Sequence, residues 1–147
     1  MMYSARIDIS APPNRVFAVL TDPSLAKLWS PEVIEARLEG ELGVGAVSHI
    51  QVKEFGRKFS VRAVVIRYEK DTAIGYEMTT PMWSGNVEYL LKLQPQGTTL
   101  DLLFKPDAPR GWKRIPSVLV AMATRPMVQR IHRRRLEALR SVVEARV

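Results

Sequence analysis

The sequence contains no cysteine, and this absence excludes disulfides, thiolate metal sites and cysteine nucleophiles. It also lacks an apolar run of the roughly 18 residues that a membrane-spanning helix needs. Its first residues have no apolar stretch typical of a secretory signal. These absences fit a reducing compartment, so we expect a cytoplasmic protein whose stability comes from side-chain packing alone.

Histidine is almost as scarce, because His49 and His132 are the only two in the chain. They lie far apart, and no H-x-H or H-x-x-x-H spacing of metal ligands occurs. Gly43 and Gly45 lack the third glycine of a dinucleotide fingerprint. A G-x-S-x-G nucleophile elbow is also missing. The sequence therefore predicts no metal and no cofactor, and it contains no recognisable set of catalytic residues.

Length and composition describe an ordinary globular domain. The chain has 147 residues, of which 46% are hydrophobic and 25% charged, and this suits a single domain over residues 1–147. The net charge of +7 is distributed unevenly. Residues 110–147 contain ten Lys or Arg and two Glu, a net charge of +8, whereas the remainder carries −1.

The first two thirds of the chain have the pattern of strands. Residues 3–10 alternate between apolar and polar, as a half-buried strand does, and Pro12 and Pro13 suit the first turn of a helix. A second short helix is expected around Leu25 to Trp29. From Val33 to about Pro106, apolar stretches alternate with short turns, which predicts six further strands in an antiparallel meander.

The last part, from about Ser117 to Arg146, has helical periodicity with a bend predicted at Pro126. At 100° per residue, one side of this helix is apolar, and that side carries Ala121, Val128, Ile131, Leu136, Leu139, Val142 and Val143. These elements predict an α+β fold in which a curved, seven-stranded antiparallel sheet wraps around a long C-terminal helix. Two short helices separate strands one and two, and a ligand pocket is expected between sheet and helix.

The segment from Ile7 to Pro23, followed by Trp29-Ser30-Pro31, resembles the START-like superfamily known as SRPBCC, which has the helix-grip fold. The pattern is most similar to the polyketide cyclase/dehydrase family, and the resemblance extends over essentially the whole chain. It implies a hydrophobic pocket under the terminal helix, of the kind that the superfamily uses for lipids, sterols, polyketides, quinones or plant hormones. The resemblance transfers no catalytic residue, because the sequence has no catalytic motif to match.

The predicted pocket lies between the concave sheet face and the helix around Met122 to His132. The apolar stripe of the helix is interrupted there by Arg125, Pro126 and His132, and interrupted packing leaves space. Large, pliable or polar side chains near this region are the pocket candidates: Trp83, Met122, His132, Arg125, Val128, Met78, Tyr89, Trp29 and Phe104.

Arg125, His132 and Arg135 fall on the apolar side of the helix, and the sequence leaves open whether each faces the cavity or solvent. Arg125 and His132 project into the cavity and meet an oxygen of the ligand, or Arg125 is exposed and His132 bonds to the sheet. Arg135 is expected to extend past the end of the sheet into solvent. His49 is expected on the solvated outer face of the sheet.

Two principal functions follow. The first is a binding or carrier protein for a hydrophobic small molecule such as a lipid, polyketide or quinone. The second is a polyketide cyclase or aromatase, which requires at least two convergent polar groups in the same cavity. A third is a basic surface module whose helix face contacts a membrane or a partner peripherally. Nucleic-acid binding is not expected, because no aromatic residues interleave with the basic ones. The ligand and the oligomeric state stay open.

Overall fold

Seven strands form one antiparallel sheet. A computed structural model of the chain describes residues 2–54, 56–107 and 117–146, and in the last segment the side chains from residue 125 onward. The strands are β1 (Tyr3–Ile9), β2 (Val33–Glu39), β3 (Val47–Glu54), β4 (Arg57–Glu69), β5 (Ala73–Thr79), β6 (Ser84–Gln94) and β7 (Gly97–Pro106).

The spatial order of the strands is β1-β7-β6-β5-β4-β3-β2. From β2 to β7 each strand therefore pairs with the next one in sequence, whereas β1 pairs with β7 at the opposite edge, with Tyr3 opposite Phe104. The predicted seven-stranded antiparallel sheet with a six-strand meander is confirmed.

The helices lie where the prolines and the periodicity place them. Between β1 and β2 the chain forms α1 (Pro13–Thr21), a 3-10 turn (Pro23–Leu25) and α2 (Ala26–Trp29), and after β7 it forms α3 (Ser117–Ala145). Pro12 caps the start of α1. Pro126 lies inside α3. No helix in the described part of the chain is long and apolar enough to span a membrane.

The two faces of the sheet differ in polarity because side chains alternate along each strand. The inner, concave face carries buried apolar side chains such as Val65, Tyr89 and Leu100. The outer face carries charged groups, among them the pair of Arg6 Nε and Asp101 Oδ1 at 2.6 Å. His49 is on this outer face, where its Nε2 lies 2.7 Å from Glu39 Oε2.

The core lies at the C-terminal end of α3, which contacts β1, α1 and α2. Leu136, Leu139 and Val143 are at most 2% exposed, and they belong to one apolar cluster with Val16 and Leu20. The second half of the helix therefore packs against α1. Full burial of such side chains stabilises the fold by roughly 1.5–3 kcal/mol each.

Two apolar residues that share the alternation of the inner face of β6 are exposed. Trp83 lies in the turn before β6 and is 37% exposed, and Leu93 near the other end of the strand is 71% exposed. Both lie at the ends of β6, whereas Val87, Tyr89 and Leu91 in the middle of the strand are buried. Alternation along the sequence shows which face of the sheet a residue lies on. How much of that face other elements bury depends on the tertiary packing.

Gly97 in the β6–β7 turn provides a test of this architecture. Its φ is +147°, and a Cβ atom there would overlap the Ile9 carbonyl oxygen and lie 3.0 Å from the Ala11 amide nitrogen. Gly97→Ala should therefore push the turn away from the end of β1 and lower the free energy of unfolding by about 3 kcal/mol. Urea denaturation measures this change.

Gly43→Ala is the matched control, because no atom lies within 4 Å of a Cβ built at Gly43. It should change the free energy of unfolding by less than about 0.5 kcal/mol. Equal effects of the two substitutions would contradict the close approach of the β6–β7 turn to β1.

Candidate functional site

The inward side of α3 is packed at one end and open at the other. Residues on this side recur every three or four positions, and from Val143 back to Leu136 they are fully buried. Continuing toward the N-terminus, His132 is 6% exposed, Val128 is half-buried and Arg125 is exposed. Along this side of the helix, exposure therefore increases from the C-terminal part toward Arg125.

His132 lies at the boundary between the packed and the open parts. Both of its ring nitrogens are buried and have no hydrogen-bond partner in the described structure. Its ring is 5.3 Å from that of Phe104, and Phe104 in turn makes an edge contact at 5.5 Å with the exposed Trp83. A row of three rings therefore leads from the protein surface to a buried imidazole.

A second group of aromatic side chains lies beside it on β5, β6 and α2. Tyr89 makes edge contacts with Trp29 and Tyr76, both at 6.5 Å between ring centroids. The indole Nε1 of Trp29 is buried without a partner. Burial raises the pKa of Tyr76 and raises the pKa of Tyr89 to about 12, so both phenols are protonated donors at neutral pH.

A charged cluster borders these rings. The Arg135 guanidinium forms an ion pair with Glu32, in the loop between α2 and β2, and lies 3.8 Å from Glu54 Oε1 at the end of β3. Glu32 also accepts a hydrogen bond of 2.8 Å from Ser30 Oγ. Arg135 Nε remains buried and unpartnered. Burial raises the pKa of Glu54, although Arg135 opposes this shift.

The prediction for Arg135 is therefore wrong. The side chain does not extend past the sheet into solvent but turns toward Glu32, with 26% of its side chain exposed. The reason lies in the tertiary structure, because the α2–β2 connection brings the largely buried carboxylate of Glu32 next to the helix. A largely buried cation such as Arg135 is stabilised by a partner of opposite charge. No local pattern around Glu32 or Glu54 indicates this role.

The other sequence-predicted residues that the structure describes take two different environments. His132, Tyr89 and the half-buried Phe104, Trp29, Met78 and Val128 face the interior, whereas Trp83 and Arg125 are exposed. Arg125 thus follows the interpretation in which it is exposed. The side chain of Met122 lies outside the described residues. Within the described residues no three His, Asp or Glu side chains come together as a metal site would require.

The protonation of His132 follows from its surroundings. Burial, reinforced by the positive charge of Arg135 and opposed by Glu32, lowers its pKa from 6.5 to about 4. At neutral pH the ring therefore has one N–H donor and one acceptor nitrogen. This combination can hydrogen-bond an oxygen or hydroxyl of a ligand without placing a charge in the interior.

An open surface groove of about 400 Å³ lies elsewhere, between α2 and the C-terminal end of α3. Leu28, Val142, Ala145 and Arg146 border it together with Ser141. It is at the opposite end of the helix from the predicted pocket and brings no buried polar group toward a ligand.

The depressed pKa of His132 predicts a pH dependence of stability. The unfolded state takes up a proton near pH 6.5 and the folded state only near pH 4, so stability is complete above pH 6.5 and falls as the pH decreases toward 4. This group contributes up to about 3 kcal/mol to that fall. Urea denaturation of the wild type and of His132→Phe over this pH range isolates the contribution, because the variant lacks it. Parallel pH profiles would contradict a neutral, buried His132.

Comparison with known proteins confirms the resemblance found in the sequence. The family model described as polyketide cyclase/dehydrase and lipid transport matches residues 3–144. No curated protein sequence matches the chain.

Among solved structures, Ara h 8.0201 superimposes with a TM-score of 0.72 at 16% identity, over 99% of this chain and 98% of that one. The di-domain ARO/CYC StfQ from the steffimycin biosynthetic pathway gives 0.81 at 10% identity, over 99% of this chain and 51% of that one. Protein SA2116 from Staphylococcus aureus, of unknown function, gives 0.80 at 12% identity, over 99% and 94%. The helix-grip fold is thereby confirmed, and the chain belongs to the polyketide cyclase/dehydrase and lipid transport family.

Proposed function

We propose that the protein binds a hydrophobic small molecule between the concave face of the sheet and α3, in the region where the inward side of the helix opens. The family description, which covers polyketide cyclases and lipid transport, supports a ligand of this general kind. The ligand enters past Trp83 and Arg125, contacts Phe104 and Met78, and reaches His132 at the inner end.

The observation that carries this proposal is the pair of unpartnered nitrogens on His132. Leaving a buried donor or acceptor unsatisfied costs about 1–3 kcal/mol, and His132 has one of each. A ligand atom that bonds to the imidazole recovers this free energy. The row of rings from Trp83 to Phe104 supplies the apolar surface that a hydrophobic ligand needs on the way.

The neighbouring polar atoms indicate an oxygenated ligand rather than a plain hydrocarbon chain. Trp29 Nε1 and Arg135 Nε are buried donors without a partner, and neither can act as an acceptor. Carbonyl, hydroxyl or ether oxygens would satisfy them. We therefore expect a preference for ligands that combine a flat or flexible apolar body with oxygen acceptors.

The protonation states favour binding over proton transfer. A general acid or base works best when its pKa is near the working pH, but the pKa of His132 is lowered to about 4 and that of Tyr89 is raised to about 12. Both groups are therefore neutral hydrogen-bonding partners at pH 7. Carriage of the ligand is the function that these properties support best.

A cyclase or aromatase activity is the second candidate, and the convergence of several polar groups favours it. The charges of Arg135 and Glu32 are close enough to affect the pKa values of both His132 and Tyr89. Such a group can hold a reactive ketone chain in one conformation and stabilise an enolate through Tyr89, which accelerates cyclisation without a strong base.

The binding proposal is tested first with 1-anilinonaphthalene-8-sulfonate, whose fluorescence reports apolar sites. Trp83→Ala removes a large apolar surface and should weaken probe binding about tenfold. His132→Phe keeps the ring but removes both nitrogens, and it should weaken displacement of the probe by a flavone about fivefold while leaving displacement by a hydrocarbon unchanged.

Leu93→Ala is the matched control, because Leu93 is an exposed apolar residue outside the proposed path. Its titration curve should coincide with that of the wild type. If Trp83→Ala, His132→Phe and Leu93→Ala all bind as the wild type does, the proposed binding region is wrong.

Enzymatic activity is tested separately with a short poly-β-ketone thioester whose cyclisation is followed by absorbance. A carrier should leave the rate within about twofold of buffer, whereas a cyclase accelerates it by orders of magnitude. If the wild type accelerates the cyclisation and Tyr89→Phe and Arg135→Gln each reduce the rate at least about tenfold, the function is cyclisation and not carriage.

A further inference from the structure

The outer face of α3 carries an unpaired group of arginines. Arg130, Arg133 and Arg134 are exposed, and Met127 lies among them with 52% of its surface exposed; we call these four residues the arginine face. Among the described residues no carboxylate forms an ion pair with any of the three arginines.

The sequence around the arginine face is poor in acidic residues. No Asp or Glu occurs between Asp107 and Glu137, a stretch that contains eight Lys or Arg. Farther along the helix, Glu144 Oε1 is occupied by a 3.0 Å hydrogen bond from the Ser10 amide. The acids that could balance the arginine face are therefore missing or occupied, apart from Glu137.

This arrangement is unfavourable for the isolated protein. Arg130 is three positions from Arg133 and four from Arg134, and like charges at these spacings on a helix repel one another. Salt bridges with Glu or Asp at the same spacings would have stabilised the helix instead. Glu137, four positions after Arg133 and three after Arg134, offsets only part of this charge, so the pattern points to a partner with dense negative charge.

The exposed Met127 indicates which kind of anionic partner, a lipid bilayer or a nucleic acid, fits the arginine face. It lies three and seven positions before Arg130 and Arg134, on the same side of the helix. An apolar side chain framed by arginines suits a helix lying at the boundary between lipid headgroups and acyl chains. A nucleic acid would be matched by exposed aromatic side chains that stack on bases, and the arginine face has none.

We propose that the arginine face binds the surface of an anionic lipid bilayer. The arginines contact the headgroup phosphates and Met127 inserts among the uppermost acyl carbons. This docking brings the N-terminal part of α3, which borders the proposed ligand site, close to the membrane. The docking does not depend on that site.

The test is sedimentation of the full chain with vesicles of phosphatidylcholine, with and without phosphatidylglycerol. The wild type should sediment with the anionic vesicles only, and high salt should release it. R130E/R134E should lower the partition coefficient about thirtyfold, since each arginine contributes roughly a factor of five. Met127→Ala should lower it about threefold.

K58E/K92E is the matched control. Both lysines are exposed on the outer face of the sheet, and the substitution lowers the net charge from +7 by four, as R130E/R134E does. It should bind anionic vesicles within about threefold of the wild type. Equal losses in the two double variants would show that net charge alone attracts the protein to vesicles, and this would overturn the proposal.

Two further outcomes would also overturn it. One is the absence of binding to anionic vesicles. The other is retention of RNA or DNA fragments that is stronger than vesicle binding and is lost in R130E/R134E, which would assign the arginine face to nucleic acid. Circular dichroism verifies that the variants fold, and exposed charge substitutions of this kind leave the core unchanged.

Discussion

The packing of the C-terminal half of α3 determines where everything else in the protein can lie. Leu139 and its neighbours on the same side fill the space between α1 and β1, and this fixes the helix firmly at one end. Toward the N-terminus of this 29-residue helix the inward side becomes more exposed, from Leu136 through Val128 to Arg125. Among the described side chains of α3, from residue 125 onward, His132 is the last buried one on the inward side, so its depth in the protein follows from the core beside it.

The polar groups near His132 can lie close together because only some of them are charged, and the main charges compensate one another. Arg135 compensates Glu32 directly, and the imidazole and the phenols lose their capacity to become charged when they are buried. Glu54 is the least balanced member, because its contact with Arg135 is long and burial raises its pKa. The interior therefore has strong hydrogen-bonding groups with little free charge, and this supports our proposal of an oxygenated ligand.

The sequence predicts the fold well because the fold depends on local signals. Prolines at the start of α1, alternation in the strands and the period of α3 each require only a few neighbouring residues. The site is less predictable, since Arg135 lies more than 80 positions from both of its carboxylate partners, Glu32 and Glu54, and nothing near either acid indicates the contact. His132 was identifiable because a polar residue in an apolar stripe is a local anomaly. Its lack of partners depends on Phe104 and on the shape of the sheet.

The pairing of β1 with β7 has a consequence for how the chain folds while it is being synthesised. Arg6 and Asp101, which bond across these strands, are 95 positions apart, whereas β2 to β7 can form as consecutive hairpins. At the usual synthesis rate of about 5–20 residues per second, β1 leaves the ribosome roughly 5–20 seconds before its partner strand exists. During this interval its alternating apolar side chains have no sheet to join. Closure of the sheet is therefore a late event that depends on non-local contacts, and β1 is the segment for which a nascent chain most needs protection from aggregation.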